Sequence, residues 1–223
     1  LVTQMRNVAY LTGFSGSSGY VILTDSQGVF ITDSRYHEQA HEEVKALPVS
    51  VYANPTTWAQ AVAEQVRRLS IKTLGFEAEH MTFATHRQLA EAIEGVSLVP
   101  LEGVIDPLRR VKTAEEIEKI RAACGIADAC FAHVLRLMRT GVSEYDIAME
   151  IDFYVRRQMA KVAFETIAVS GERTSRPHGT PSERKLREGD FVTMDFGARV
   201  DGYCSDLTRT VVVSRADDRQ REV

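Results

Sequence analysis

The stretch Phe191-Val192-Thr193-Met194-Asp195-Phe196-Gly197-Ala198-Arg199-Val200-Asp201-Gly202-Tyr203-Cys204-Ser205-Asp206-Leu207-Thr208-Arg209-Thr210-Val211 decides the reading of the chain. An Asp-Gly pair between two β-prone runs is the strongest short-range hairpin signal. Asp201 and Gly202 are therefore expected as the two loop residues, with Val200 opposite Tyr203. Counting back, Gly197 then faces Asp206, Asp195 faces Thr208, and Thr193 faces Thr210. Side chains alternate along a strand, so these six lie on one face of the ribbon. The opposite face carries Val192, Met194, Phe196, Leu207 and Val211, which read as core, with Arg209 the exception.

This register makes Asp195 and Asp206 diagonal neighbours, their Cβ atoms roughly 7 Å apart. Like charges held that close in a half-buried sheet repel, and one would be driven to take up a proton. A divalent cation removes the conflict. Carboxylate oxygens suit Mn²⁺ or Mg²⁺ and, with imidazole added, Zn²⁺ or Co²⁺. Thr208, opposite Asp195, is placed to steady a ligand carboxylate through its hydroxyl. The alternative is a solvated outer face on which Asp and Thr meet water. Cys204 falls on the polar face opposite Arg199, but at the turn, where it makes a poor ligand. Upstream, Pro177-His178-Gly179 holds an imidazole in a loop that could overhang the polar face, where it would hydrogen-bond a substrate carbonyl or a developing oxyanion. His37, His41, His80, His86 and His133 show no paired ligand pattern and read as surface or packing residues.

Outward from the hairpin, the chain alternates strands and helices up to about Ile105, which suggests an α/β domain. Strands are expected over 20–23, 28–32 and 73–76, with Thr24-Asp25-Ser26-Gln27 turning between the first two. Helices are expected over about 36–45, from the Thr57-Trp58-Ala59-Gln60 capping box to about Leu69, and over 82–93. Asp106-Pro107 and the basic Arg109-Arg110-Val111-Lys112 mark a boundary, giving domains 1–106 and 107–223. Thr113-Ala114-Glu115-Glu116 opens a long amphipathic helix with Ile117, Ile120, Cys124, Ala127, Phe131, Val134, Leu135 and Met138 as its buried stripe, ended by Gly141. Ser143-Glu144-Tyr145-Asp146 caps the next helix, to about Met159. Gly13-Phe14-Ser15-Gly16-Ser17-Ser18-Gly19 matches no phosphate-loop pattern and reads as a close-packed loop. The chain reads as cut at both ends. It starts without Met on Leu1-Val2, as if inside a strand, and its last residues, 217–223, read as the first turns of a helix.

The 223 residues, 44% of them hydrophobic and 26% charged, exclude a disordered or low-complexity chain. A formal net charge of -4 leaves no basic surplus for a nucleic-acid partner. No apolar run reaches the roughly 20 residues of a membrane span, and no signal peptide is visible. Three cysteines make no disulfide framework, which fits a reducing, cytoplasmic setting. Cys124 and Cys130 stand about 240° apart on a helix and read as packed apolar residues rather than a bridge.

Phe164-Glu165-Thr166-Ile167, Ser170-Gly171, Pro177-His178-Gly179, Gly189-Asp190, Asp195-Phe196-Gly197-Ala198 and Gly202-Tyr203-Cys204-Ser205-Asp206-Leu207-Thr208-Arg209-Thr210 together closely resemble the pita-bread metallopeptidases. The likeness is to their proline-specific branch, the Xaa-Pro dipeptidases (prolidases) and Xaa-Pro aminopeptidases. Asn7-Val8-Ala9-Tyr10-Leu11-Thr12-Gly13-Phe14, Ile31-Thr32-Asp33-Ser34-Arg35-Tyr36 and Val111-Lys112-Thr113-Ala114-Glu115-Glu116-Ile117 resemble the creatinase-type N-terminal domain and the join behind it, which methionine aminopeptidases generally lack.

The resemblance implies an α/β creatinase-like N-terminal domain followed by the first half of an α+β pita-bread catalytic domain. It implies a centre of two divalent metal ions, Mn²⁺, Co²⁺ or Zn²⁺, with Mn²⁺ foremost. Asp195 and Asp206 match its first two ligands, and His178 matches a substrate-contacting histidine. The substrate implied is a peptide with proline at its second position, and relatives are often homodimers. The remaining ligands, one His and two Glu, and a proton-carrying Glu lie further along in the family than Val223. Residues 1–223 alone are accordingly expected to bind metal weakly and not to turn over. Two departures sit on the substrate side: the segment Met159-Ala160-Lys161-Val162-Ala163 is shorter than the usual Gly-containing loop, and Arg176 replaces an apolar or small residue. Two other readings use the same fold, a non-catalytic peptide- or partner-binding protein and a creatinase-type amidinohydrolase. The retained aspartates speak against the second.

Overall fold

The computed structural model describes residues 1–222. The chain divides into two compact units, Leu1–Val111 and Lys112–Val223. The join expected at 106/107 falls at the start of a short helix, Asp106–Arg110, inside the first unit.

In the first unit the apolar start is not the middle of a strand. Val2 makes a single bridge, donating to the Val21 carbonyl at 2.8 Å and accepting back at 3.0 Å. A helix outside the expected set follows, α1 (Met5–Thr12), and Gln4 gives it no side-chain cap. The backbone leading into it is held from a distance instead, with Glu77 Oε2 accepting from the N–H of Thr3 at 2.6 Å and of the N-cap residue Gln4 at 2.8 Å. An acceptor supplied from a residue so far along the chain leaves no local signature.

The strands β1 (Tyr20–Leu23) and β2 (Gly28–Asp33) pair antiparallel around the expected turn, closed by Thr24 N–H on the Gln27 carbonyl at 2.8 Å. After α2 (His37–Glu43), β3 (Val49–Tyr52) joins β2 in parallel. Then come α3 (Trp58–Arg68), closed at its start by the reciprocal Thr57–Gln60 box, β4 (Thr73–Glu77), α4 (Phe83–Ala92), β5 (Ser97–Leu101), which pairs parallel with β4, and α5 (Asp106–Arg110). The strands β3 and β5 were not expected. The loop 13–19 is close-packed, since a Cβ on Gly16 would stand 2.3 Å from the Phe14 ring.

The second unit opens with α6 (Ala114–Leu135), whose Thr113–Glu116 box forms as read. It stops at Leu135 rather than Gly141, and its buried line is the expected one only in part: Ala127 and Val134 are buried, and Phe131 and Met138 pack against the core as read. Glu116, Ala123, Ala127, Cys130 and Val134 are buried, while Ile117, Cys124 and Leu135 are exposed. Small side chains at the contact let a helix approach its neighbours closely, so the burial follows Ala123, Ala127 and Cys130 rather than the bulkiest residues. The remaining elements are α7 (Glu144–Arg157), β6 (Lys161–Val162), β7 (Ile167–Ser170), β8 (Phe191–Phe196), β9 (Ala198–Val200), β10 (Tyr203–Cys204), β11 (Leu207–Val212) and α8 (Asp218–Arg221). The terminal helix begins where expected, on a capping box of Asp217 and Gln220 that was not read from the sequence, and Val223 lies outside the described residues. The strands form two three-stranded sheets, β11-β8-β7 and β10-β9-β6. Their buried face, with Val192, Met194, Phe196 and Ala198, packs with Ala127, Cys130 and Val134 of α6 and Ile147, Ile151 and Val155 of α7. Among the described residues no helix is long and apolar enough to cross a membrane.

Cys130 is packed as read while Cys124, also read as packed, is exposed, and the contrast yields a prediction. Cys130 is fully buried, its Sγ 3.8 Å from the Ile151 carbonyl, and burial pushes its thiol up to about 12. Cys124 and Cys204 are exposed. A maleimide at pH 8 is expected to label Cys124 and Cys204 in the native chain, and Cys130 only after unfolding. Intact-protein and peptide mass spectrometry read this directly, and rapid native labelling of Cys130 would contradict the packing.

Candidate functional site

The hairpin keeps one register from its turn to its far end. Tyr203 pairs with Val200, Cys204 with Arg199, Leu207 with Phe196, Thr208 with Asp195 and Thr210 with Thr193. Asp201 (φ 47°) and Gly202 (φ 89°) both take the positive φ that a two-residue type I′ turn demands. Burial alternates along β8 as the pleat requires, Val192, Met194 and Phe196 inside, Thr193 and Asp195 half-buried on the other face.

The ribbon changes partner at Gly197. Before it, β8 pairs with β7, which sets Ile167 beside Asp195; after it, β9 pairs with β6, which sets Val162 beside Ala198. There the two arms press together. Ser205 N–H donates to the Ala198 carbonyl at 2.9 Å, and Ser205 Oγ accepts from the Ala198 N–H at 3.0 Å. A Cβ on residue 197 would lie 2.0 Å from the Ser205 carbonyl oxygen. Only glycine allows that approach, one residue before Asp206.

Asp195 thus sits between Ile167 and Thr208, and its Oδ1 is buried with no hydrogen-bond partner among the described residues. An unpaired buried polar atom costs about 1–3 kcal/mol, more when charged, and an ion held there is one way to meet it; in the first unit Gln4 Oε1 and Gln65 Oε1 are orphaned too, but neither is a carboxylate. Thr208 stands opposite Asp195 but is exposed, and its hydroxyl does not reach Oδ1. Asp206, two positions before Thr208, is exposed. Thr193 and Thr210 share a hydroxyl–hydroxyl bond of 2.9 Å further down the same face. Oxygen donors only, one of them orphaned and buried, are a donor set that fits a hard or borderline divalent cation. The set is partial, because among the described residues no group of three or more His, Cys, Asp or Glu is placed to hold a metal.

His178 is exposed on the loop joining β7 to β8, beside a buried Gly179. No hydrogen bond or ion pair among the described residues joins it to Asp195 or Asp206. The other histidines have local engagements where any is seen: His133 Nε2 meets Glu150 Oε1 at 2.8 Å, and His41 Nδ1 lies 2.7 Å from the His37 carbonyl oxygen. Cys204 is exposed next to the turn.

Sequence reasoning missed the polar assembly under the His178 loop. Glu144, the first residue of α7, is completely buried and accepts from Ser170, Ser182 and Arg173. Next to it, Arg184 forks onto Asp190 and holds its carboxyl below the usual carboxylate range. Ser143-Glu144-Tyr145-Asp146 announces only the cap, in which Asp146 answers Ser143, and says nothing of the inward course of Glu144.

Comparison with known proteins agrees with this architecture. Residues 1–111 match the Creatinase/Prolidase N-terminal domain, and residues 118–223 match Metallopeptidase family M24. The chain is 41% identical to an uncharacterized peptidase, YqhT, of Bacillus subtilis strain 168, over all of this chain and 63% of that protein. Its fold is similar to that of an Xaa-Pro dipeptidase from Bacillus anthracis (TM-score 0.93, 38% identity, 99% of this chain and 62% of that one). It is also similar to an X-Pro aminopeptidase from Thermotoga maritima (TM-score 0.88, 32% identity, 96% of this chain and 61% of that one). The chain therefore spans less than two thirds of the length of these relatives. With a creatinase/prolidase N-terminal domain leading into the first part of an α+β pita-bread unit, the chain belongs to metallopeptidase family M24.

Proposed function

We propose that the complete gene product is a dinuclear metal-dependent exopeptidase that hydrolyses the Xaa-Pro bond of dipeptides or short peptides. The observation that carries this reading is the buried, unpartnered Oδ1 of Asp195 on the polar face of the hairpin. It is supported by the similarity to an Xaa-Pro dipeptidase and an X-Pro aminopeptidase. Asp195 and Asp206 would hold the ions, Mn²⁺ foremost, with Co²⁺ or Zn²⁺ as substitutes. Bound divalent ions activate water and polarise the scissile carbonyl. The chain's own contribution is to aim Asp195 from a rigid central strand, to seat Thr208 opposite it, and to present His178 from a fixed loop to the substrate carbonyl. Three free cysteines fit a cytoplasmic setting.

The test is an assay of the complete gene product with Mn²⁺, Co²⁺ or Zn²⁺ on Xaa-Pro dipeptides and on longer peptides with proline second. Cleavage is expected in at least one set, and the preferred length separates dipeptidase from aminopeptidase. No cleavage of either set with any of the three ions overturns the reading.

A further inference from the structure

The loop that carries His178 leaves β7 at Ser170 and returns at Ser182, and both of its ends are fastened to one carboxylate. Oε1 of Glu144 accepts from Ser170 N at 2.7 Å and Ser170 Oγ at 2.8 Å. Oε2 accepts from Ser182 N at 3.1 Å and Ser182 Oγ at 2.7 Å. Arg173 Nε donates to the same Oε2 at 3.1 Å, while its Nη2 donates to the Thr180 carbonyl at 2.6 Å, two residues past His178. The guanidinium therefore ties the crest of the loop to the carboxylate beneath it. Gly179 N–H closes on the Arg176 carbonyl at 3.0 Å, and a Cβ there would meet Val169 of β7 at 2.7 Å, so the loop lies folded against the strand that flanks Asp195.

Glu144 is 0% exposed. A carboxylate taken that far out of water persists only where donors satisfy it, and here each oxygen is met by donors from the loop it fastens. Nothing in the capping of α7 calls for it, because Ser143 and Asp146 complete that box between them.

We propose that Glu144 is a positioning residue which acts through His178: its carboxylate fixes both feet of the 171–182 loop and, through Arg173, the loop's crest, and so sets where the imidazole meets the substrate. The catalytic half rests on the Xaa-Pro peptidase reading. The clamp itself does not.

The experiment has two readouts on the complete gene product. Glu144→Gln keeps the side-chain volume but replaces one acceptor oxygen with a donor facing groups that also donate. Hydrogen exchange followed by mass spectrometry is expected to quicken at least about tenfold over 171–182 and to stay unchanged over 147–157. Ser182→Ala removes one hydroxyl, which donates to Glu144 Oε2 and accepts from the Arg184 N–H at 3.2 Å, and is expected to quicken exchange only around 180–184. In kinetics, a misplaced catalytic contact costs up to about 10²-fold in kcat/KM. Glu144→Gln is expected to lose that much alone but less than threefold when added to His178→Ala, because a positioning residue has nothing left to position. Unchanged exchange over 171–182 in both variants overturns the clamp whatever the activity. Additive losses in the double variant overturn the action through His178. An inactive unsubstituted protein overturns the peptidase reading and the catalytic half together, while the exchange result still decides the clamp.

Discussion

Replacing Asp195 by Asn is expected to remove activity from the complete gene product, on the order of 10³-fold or more in kcat, while leaving the metal-free protein at least as stable as before. The two halves have the same cause. Without metal, Oδ1 of Asp195 is a buried carboxylate oxygen with no partner, flanked in register by Ile167 and Thr208. Such an atom is a liability of about 1–3 kcal/mol, and an amide of the same shape lightens it by removing the charge. With metal, the same charge is what the site needs, and losing several kcal/mol of transition-state stabilisation is about three decades of rate. Thermal unfolding in the presence of a chelator should show an unchanged or raised midpoint for Asp195→Asn. Calorimetric titration with Mn²⁺ should show its affinity weakened at least about tenfold. A residue serving only the fold would give the reverse pattern, a clear loss of stability in chelator and unaltered Mn²⁺ binding, and that result would place the site elsewhere.

What the sequence disclosed divides by range. The register of the hairpin was legible because two local signals agree: Asp201-Gly202 selects the turn, and the alternation of Val192, Met194 and Phe196 with Thr193 and Asp195 admits one parity. The boxes at Thr57, Thr113 and Ser143 were legible for the same reason, each being closed within four residues. Burial on α6 was legible only in part, at Ala127 and Val134. Ile117 and Leu135 satisfy the helical period but are exposed, whereas Ala123, outside the expected stripe, is buried because α6 meets the rest of its unit along its small residues. Periodicity gives the existence of a stripe, and the packed neighbours choose its phase. β3 and β5 each find a parallel partner across an intervening helix, so no turn announces them. The clamp on Glu144 is the extreme case, since its donors come from positions 170, 173 and 182. At the proposed site, the pairing of Asp195 with Thr208 could be read from the ribbon's parity. The orphaned oxygen could not, because it depends on what the strand beside Asp195 fails to offer.

Gly197→Ala is expected to be as damaging as any single methyl can be in this unit. The added Cβ would lie 2.0 Å from the Ser205 carbonyl oxygen, 2.9 Å from its carbon and 3.0 Å from the Ala163 Cβ. Two of these are backbone atoms inside the ribbon, so no rotamer change relieves the contact, and one arm must move away. Overpacking of this kind costs about 3 kcal/mol at the upper end of its usual range, which for a unit of this size lowers the unfolding midpoint by on the order of 15 °C. The arm that moves carries Asp206 and Cys204, so the fold and the diagonal of carboxylates should fail together, with Mn²⁺ binding lost along with the stability. Gly125→Ala is the control. Gly125 lies inside α6, where an added Cβ meets nothing within 4 Å. The same methyl there should raise stability by about 0.5–1 kcal/mol through the helix propensity of alanine. Opposite signs at 197 and 125, measured by thermal unfolding of residues 1–223, would separate the close approach of two strands from any general effect of removing a glycine. If Gly197→Ala were tolerated with its Mn²⁺ affinity intact, Ser205 could not be where the ribbon's bend puts it, and the proposed pairing of Asp206 with Asp195 would fall with it.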